Sequence, residues 1–138
     1  AKNWGLFLLA GLGLFALAIL GMTRLFDISP VNAGLEIGYT WYVPAVWAGP
    51  VNPEAKKLLL SYAFDSCDYE RVQLKTDLRN TRSQAAITKL GATREGVLRR
   101  NMRLPDGYLR STVMFSILKD EWPAVRAGLD ARLAAFAG

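Results

Sequence analysis

The sequence contains no histidine and only one cysteine, Cys67, and these shortages narrow the chemistry that the protein can perform. Without histidine, a Ser-His triad, a histidine-paired cysteine nucleophile and an ordinary zinc site are excluded. A single cysteine cannot form an internal disulfide. With 51% apolar and 21% charged residues in 138, the chain is neither disordered nor a multi-pass membrane protein. One folded domain without a metal site is the first interpretation.

Charged and polar side chains are also missing from the nineteen residues between Trp4 and Met22. As a helix this run would be about 28 Å long, close to the hydrocarbon core of a bilayer at about 30 Å. The run is apolar on every side, so it lacks the polar face of a helix that lies on a domain surface. We therefore expect residues 1–22 to form a single transmembrane helix in the lipid bilayer. A buried core element and a cleavable signal peptide are the alternatives.

The charges around this run indicate its orientation only weakly. Lys2 lies on one side, and Arg24 is balanced by Asp27 on the other. Lys56 and Lys57 add positive charge after the span, and because cytoplasmic segments carry more lysine and arginine, they favour a cytoplasmic domain after it. The expected localisation is therefore a single-pass membrane protein with residues 23–138 in the cytoplasm.

Residues 23–138 alternate between the sequence patterns of strands and helices. Strands are predicted at 23–28, 35–41, 71–76, 93–102 and 108–118, and helices from 53, at 81–90 and from 122. Asn52 is a good N-cap residue before Pro53, and Gly91 is a good C-cap residue. The spacing of apolar residues along the first helix predicts one apolar face, formed by Ala55, Leu58, Leu59, Tyr62 and Ala63. The fold class is α+β, a mixed and mainly antiparallel sheet with flanking helices in an α/β/α-like arrangement.

Four sequence blocks in this region resemble the GNAT superfamily of N-acetyltransferases, and most closely its ribosomal-protein N-terminal acetyltransferase branch. The blocks are Leu-Glu-Ile-Gly-Tyr-Thr-Trp at 35–41, Val-Asn-Pro-Glu-Ala-Lys at 51–56, Lys-Thr-Asp-Leu-Arg-Asn-Thr-Arg-Ser at 75–83 with Lys-Leu-Gly-Ala at 89–92, and Glu-Gly-Val-Leu-Arg at 95–99. Their order and spacing are specific. The resemblance extends from about residue 21 to 133.

The resemblance implies an acetyl-CoA site and two catalytic candidates. By resemblance the loop 47–52 meets the pyrophosphate of acetyl-CoA at a helix N-terminus, where backbone N–H groups favour anions. Glu36 is the candidate base or amine-positioning group, and Tyr108 a weaker candidate beside the leaving thiol. The predicted cofactor-binding residues are Trp47, Gly49, Val51, Asn52, Asn80 and Ser83.

Each of these residues also has a purely structural interpretation. Glu36 could lie on the solvated side of its strand, and Asn80 and Ser83 could be capping residues. Tyr39, Trp41 and Trp47 are expected in the core. The basic hairpin is interpreted as a solvated face rather than a site for nucleic acid or anionic lipid, and it contains Arg94, Arg99, Arg100, Arg103 and Arg110.

The sequence departs from the family pattern in two respects. The resemblance implies a strand, two helices and two strands before the position of Gly21, where this sequence has the apolar run. Pro50 and Pro53 remove two N–H groups from the cofactor loop. We therefore predict a shortened, degenerate GNAT domain that serves as a non-catalytic accessory subunit, with other integral-membrane subunits as partners and no cofactor. An active N-acetyltransferase that uses acetyl-CoA is the alternative.

Overall fold

The computed structural model describes residues 20–138, which form one mixed five-stranded sheet and three helices. The strands are β1 (Gly21–Ser29), β2 (Gly34–Tyr42), β3 (Arg71–Asp77), β4 (Thr93–Arg103) and β5 (Leu109–Leu118). The helices are α1 (Val51–Ser61), α2 (Thr81–Leu90) and α3 (Trp122–Ala137). A π-helical turn, Tyr62–Ser66, extends α1. The predicted α+β class and the predicted order of elements are confirmed.

The predicted transmembrane helix at residues 1–22 lies outside the described residues, apart from Leu20, Gly21 and Met22. Gly21 and Met22 belong to β1. Within residues 20–138, no helix combines the length and the apolar character needed to cross a membrane. The division of the chain at residue 22 stays a prediction.

One parallel contact joins two antiparallel parts of the sheet. The strand order is β1-β2-β3-β5-β4, and every neighbouring pair is antiparallel except β2 and β3. The parallel pair requires a crossover, which α1 supplies. β2 and β3 are paired only at Gly34–Arg71, Leu35–Val72 and Glu36–Gln73. Beyond Glu36 the two strands separate, and this opening positions the candidate site.

The hydrophobic core lies between the helices and one face of the sheet. Because strand side chains alternate, Leu35, Val72 and Ile117 share this face with Leu74 and Phe115. They pack in one cluster with residues from all three helices: Leu60, Ala63, Ile87, Leu90, Val125 and Leu129. The opposite face of β3 exposes Gln73 and Lys75 in part. The helices therefore cover one side of the sheet, and polar groups occupy the other.

The first helix differs from its prediction in its start and in its buried face. It begins at Val51 after Pro50, so Asn52 lies inside the helix and is not its N-cap. Leu58 and Tyr62, which were predicted to be buried, are 59% and 55% exposed. The buried residues are Pro53, Lys56, Leu60 and Ala63. The prediction failed because it excluded a lysine from the buried face.

A β-bulge displaces the aromatic residues of β2 from the core. Met22 pairs with Trp41 and Arg24 with Gly38, so Thr23 alone faces both Tyr39 and Thr40. Tyr39 has a φ of 50°, in the left-handed region. Tyr39, Trp41 and Trp47 are each about half exposed. Their prediction as core residues was wrong. For Tyr39 and Trp41 the bulge changes which face each side chain occupies, and Trp47 lies in the loop after β2.

Candidate active-site cleft

A cleft of about 430 Å³ opens where β2 and β3 separate. Its walls come from both strands, from the start of α1, from α2 along its length and from β5, with single residues of β1, β4 and α3. Antiparallel neighbours support each of the diverging strands on its outer side. The cleft is therefore a fixed gap in the sheet, and side chains from both faces of the sheet line it.

Glu36 lies at the point of divergence and is 1% exposed. Its Oε2 accepts a hydrogen bond from Gln73 Nε2 at 2.9 Å and is 3.0 Å from Lys75 Nζ. Its Oε1 is buried and has no hydrogen-bond partner among the described residues. The interpretation of Glu36 as a solvated side chain is therefore wrong. A carboxylate oxygen that lines the cleft is available to a ligand donor.

Aromatic and basic side chains surround Glu36 on the face opposite the helices. Phe26 pairs directly with Glu36 across β1 and β2, and its ring meets Tyr39 edge-to-face at 4.9 Å. The Arg24 guanidinium lies 3.7 Å from the centre of the Tyr39 ring. Gly38 makes this packing possible, since a Cβ there would be 2.8 Å from Phe26. The wall beside Glu36 is thus aromatic, with a cation outside it.

The start of α1 opens into the cleft on the helix side. Pro50 occupies the N-cap position and makes no side-chain cap, and Pro53 also lacks an N–H group. Val51 and Asn52 therefore supply the only backbone N–H groups among these four residues. Asn52 lines the cleft, and its side-chain Oδ1 is buried without a hydrogen-bond partner among the described residues. This helix start offers both donors and an acceptor to a ligand.

The start of α2 forms the facing wall. Asn80 is the N-cap residue, and its Oδ1 accepts a hydrogen bond from Ser83 N at 2.9 Å. The capping interpretation is thus correct, and both residues also line the cleft. The guanidinium carbon of Arg82 lies 3.4 Å from the centre of the Trp47 ring, and this contact joins α2 to the loop before α1. The indole Nε1 of Trp47 donates to the carbonyl oxygen of Tyr42 at 2.7 Å.

Lys56 is a buried cation of the cleft that the sequence did not indicate as a site residue. It is 6% exposed, and its Nζ donates to Thr23 Oγ1 at 2.7 Å and to Thr40 Oγ1 at 2.8 Å. Burial lowers the pKa of Lys56 to about 8, because the charged form loses its hydration. Both threonines belong to the β-bulge, Thr23 on β1 and Thr40 on β2. Lys56 therefore fixes the bulge from the helix side.

Further charges lie at the end of the cleft on the face of Glu36. Asp77 accepts a hydrogen bond from Arg79 N at 2.8 Å and forms an ion pair with the Arg79 side chain at 3.3 Å. These bonds lower the pKa of Asp77. Arg110 lines the same end, and its Nε is buried without a partner among the described residues. Arg110 was predicted to lie on the solvated face of the basic hairpin, because the spacing of residues along a strand does not show which of its faces meets the cleft.

The structure brings four of the eight predicted site residues into the cleft. They are Glu36, Asn52, Asn80 and Ser83. Trp47, Gly49 and Val51 belong to the loop and helix start beside it. Tyr108 does not line the cleft; it follows the turn between β4 and β5. The guanidinium carbon of Arg79 lies 3.3 Å from the centre of the Tyr108 ring. The roles assigned to these residues stay predictions. Lys56, Lys75 and Arg110 were missed as cleft residues.

Comparisons with known proteins agree with this geometry. A family model described as an acetyltransferase (GNAT) domain matches residues 2–93. The chain is 31% identical over 105 residues to the proposed ribosomal N-acetyltransferase YdaF of Bacillus subtilis. The matched region covers 76% of this chain and 56% of YdaF. The chain spans about half the length of the curated relatives that it matches.

Solved structures share the fold. A proposed acetyltransferase from T. thermophilus is 53% identical, with a TM-score of 0.79 over 83% of this chain and 60% of that chain. Mycobacterium smegmatis RimJ, solved with CoA-disulfide, is 23% identical, with a TM-score of 0.72 over 81% of this chain and 54% of that chain. At that identity the RimJ comparison supports the fold alone.

The family match overturns the predicted membrane localisation. It begins at residue 2 and therefore includes the apolar run as part of the acetyltransferase domain. An apolar run of this length is therefore not sufficient to indicate a membrane span, because buried parts of domains can also be apolar on every side. Fusion of a membrane span to a shortened domain is likewise unsupported. The predicted integral-membrane partner subunits stay a prediction.

Proposed function

Because the chain belongs to the acetyltransferase (GNAT) family, which uses acetyl-CoA, we propose that it is an active N-acetyltransferase that modifies a primary amine. The observation that carries this proposal is the buried Oε1 of Glu36, a residue that lines the cleft; this oxygen has no hydrogen-bond partner among the described residues. A domain kept only as a scaffold has no need for an unsatisfied buried carboxylate oxygen, which costs stability. The proposal therefore favours the enzyme over the accessory subunit.

The residues around the cleft fit acetyl-CoA on its helix side. The start of α1 offers the N–H groups of Val51 and Asn52 to a phosphate, so the two prolines reduce the number of donors without removing them all. Asn52 Oδ1 has an unused acceptor position. Asn80 and Ser83 offer amide and hydroxyl groups across the cleft. Acetyl-CoA supplies an acetyl group activated as a thioester, and transfer to the amine releases CoA.

In this proposal Glu36 prepares the amine for attack. An amine is nucleophilic only after its ammonium form has lost a proton, and Glu36 Oε1 is a carboxylate oxygen without a hydrogen-bond partner among the described residues. Gln73 and Lys75 hold Oε2, so the carboxylate has one fixed orientation. Phe26, the β1 partner of Glu36, places an apolar ring on one side of the carboxylate. In this proposal Glu36 orients the amine and accepts its proton. Tyr108 receives no role, because it does not line the cleft.

Titration of the protein with acetyl-CoA tests the cofactor site. A saturable rise in melting temperature is expected, because a ligand that binds only the folded state stabilises it. Absence of a rise at millimolar acetyl-CoA would contradict the enzyme and favour the accessory subunit.

Substitution of Glu36 tests its role. Glu36→Gln should lower kcat for acetyl transfer by about 10²- to 10⁴-fold, the usual contribution of a general base, with the acetyl-CoA-induced rise in melting temperature retained. Release of the CoA thiol measures transfer. Glu70→Gln, at an exposed glutamate distant from the cleft, is the matched control and should retain the rate. An unchanged rate in Glu36→Gln would contradict the proton-acceptor role.

A further inference from the structure

The acceptor must approach Glu36 from the sheet face opposite the helices. Glu36 pairs with Phe26 on one side and with Gln73 on the other, so these side chains share a face. Leu35 and Ile37 point to the other face and are buried under the helices. The charges on the Glu36 face therefore decide which amines can enter.

The acidic groups on this face already have cationic partners. Glu36 forms an ion pair with Lys75, and Asp77 forms one with Arg79. Glu36 and Asp77 are the only acidic residues among the described residues that line the cleft. Glu36 Oε1 can receive one ammonium group, but an acceptor with a second ammonium group finds no free carboxylate for it.

Two basic groups on this face, Arg110 and Arg24, form no ion pair among the described residues, although the charge of Arg110 adds to the Arg79 hydrogen bonds that lower the pKa of Asp77. Arg110 pairs with Met102 across β4 and β5, and its Nε is buried without a hydrogen-bond partner within residues 20–138. Arg24 lies over Tyr39 beside the entrance and has no carboxylate partner among the described residues. A guanidinium group presents a planar set of donors that matches a carboxylate. Arg110, which lines the cleft, therefore makes the end of the cleft beside Asp77 suitable for an anion.

From these charges we infer that the acceptor is an amine whose chain also carries a carboxylate, and that polyamines are disfavoured. This inference depends on the proposed acetyltransferase function. Glu36 receives the amine, and Arg110 attracts the carboxylate. An acceptor with a second cation is repelled by Lys75 and Arg110.

Three acceptors of matched length test the inference: ε-aminocaproate, hexylamine and hexamethylenediamine. They share a chain of six carbon atoms and differ at its far end, which is a carboxylate, an uncharged methyl group or a second ammonium group. The value of kcat/KM should be highest for ε-aminocaproate and about tenfold lower for the diamine than for hexylamine, the effect of one charge about 10 Å from another at an effective dielectric constant near 20. The differences should shrink at high salt, because salt screens exposed charges.

Arg110→Gln should lower kcat/KM for ε-aminocaproate and reduce its advantage over the diamine by about tenfold. Arg103→Gln is the matched control, since Arg103 is exposed on β4 and does not line the cleft, and it should retain the native ratio. Transfer to hexylamine together with a preference for the diamine would overturn this inference and leave the acetyltransferase function standing. Failure to acetylate any of the three with the acetyl-CoA-induced rise in melting temperature retained would overturn this inference alone, whereas failure together with the absence of that rise would overturn both.

Discussion

Replacement of the buried Lys56 by methionine should make the protein more stable at neutral pH. Lys56 is 6% exposed, and its hydrogen-bond partners are two hydroxyl groups rather than a carboxylate. Its pKa falls from 10.5 to about 8 through desolvation. At 1.36 kcal/mol for each pH unit, the ammonium form costs the folded state about 3 kcal/mol. Methionine has a similar length and carries no charge.

The pH dependence follows from the direction of this change. Below pH 8 the folded protein carries the costly ammonium, and the cost is present in full. Between about pH 8 and 10.5 the unfolded chain holds more protons on Lys56 than the folded chain, so stability rises with pH. Above pH 10.5 both states are neutral and the cost is gone. The native protein therefore gains stability across this window relative to Lys56→Met.

Urea unfolding at pH 7 and pH 10.5 measures both effects. The variant should be more stable by about 1–3 kcal/mol at pH 7, because Thr23 and Thr40 lose a donor but still bond each other at 2.8 Å. The advantage should fall by about 3 kcal/mol at pH 10.5. Comparison of the two proteins at each pH cancels the titration of other lysines and tyrosines. An equal difference at both pH values would refute the assignment of the cost to the ammonium.

Two further predictions concern stability. The pKa of Glu95 is lowered from 4.5 to about 2, chiefly by hydrogen bonds from Arg71, so the stability that this ion pair contributes is present above pH 4.5 and is lost as the pH falls through about 2. In urea unfolding, the stability difference between the native protein and Glu95→Gln should therefore shrink between pH 5 and pH 2.5. A constant difference would contradict this prediction. Leu60→Ala should cost about 3 kcal/mol, because Leu60 is 0% exposed, whereas Leu58→Ala on the exposed side of α1 should cost less than about 0.5 kcal/mol in the same assay. Equal losses would show that the buried face of α1 has been assigned incorrectly.

The sequence predicts the elements better than it predicts the site. The ends of α2 follow from local chemistry, since Asn80 caps its start and Gly91 ends it with a φ of 102°. The buried face of α1 could not be predicted from apolar spacing, because Lys56 and Pro53 occupy it. Burial of Lys56 depends on Thr23 and Thr40, which are distant in sequence.

The cleft depends on pairing between strands, which residue patterns do not show. Glu36 was chosen by resemblance, and its burial follows from its position where β2 and β3 separate. Arg110 lies in a hairpin whose other arginines are exposed. Nothing in its local sequence distinguishes it from them. Its place in the cleft follows from the pairing of β5 with both β3 and β4.

The short pairing of β2 with β3 also has a mechanical consequence. Three residue pairs connect the β1–β2 hairpin to the three strands β3, β4 and β5, so this is the weakest seam of the sheet. Past Glu36 and Gln73, the facing backbone edges lack strand partners within residues 20–138, and their amide hydrogens are open to exchange with solvent. A molecule that hydrogen bonds to both edges would act as a short extra strand. Its binding would join the two halves into one cooperative unit and protect these amides from exchange.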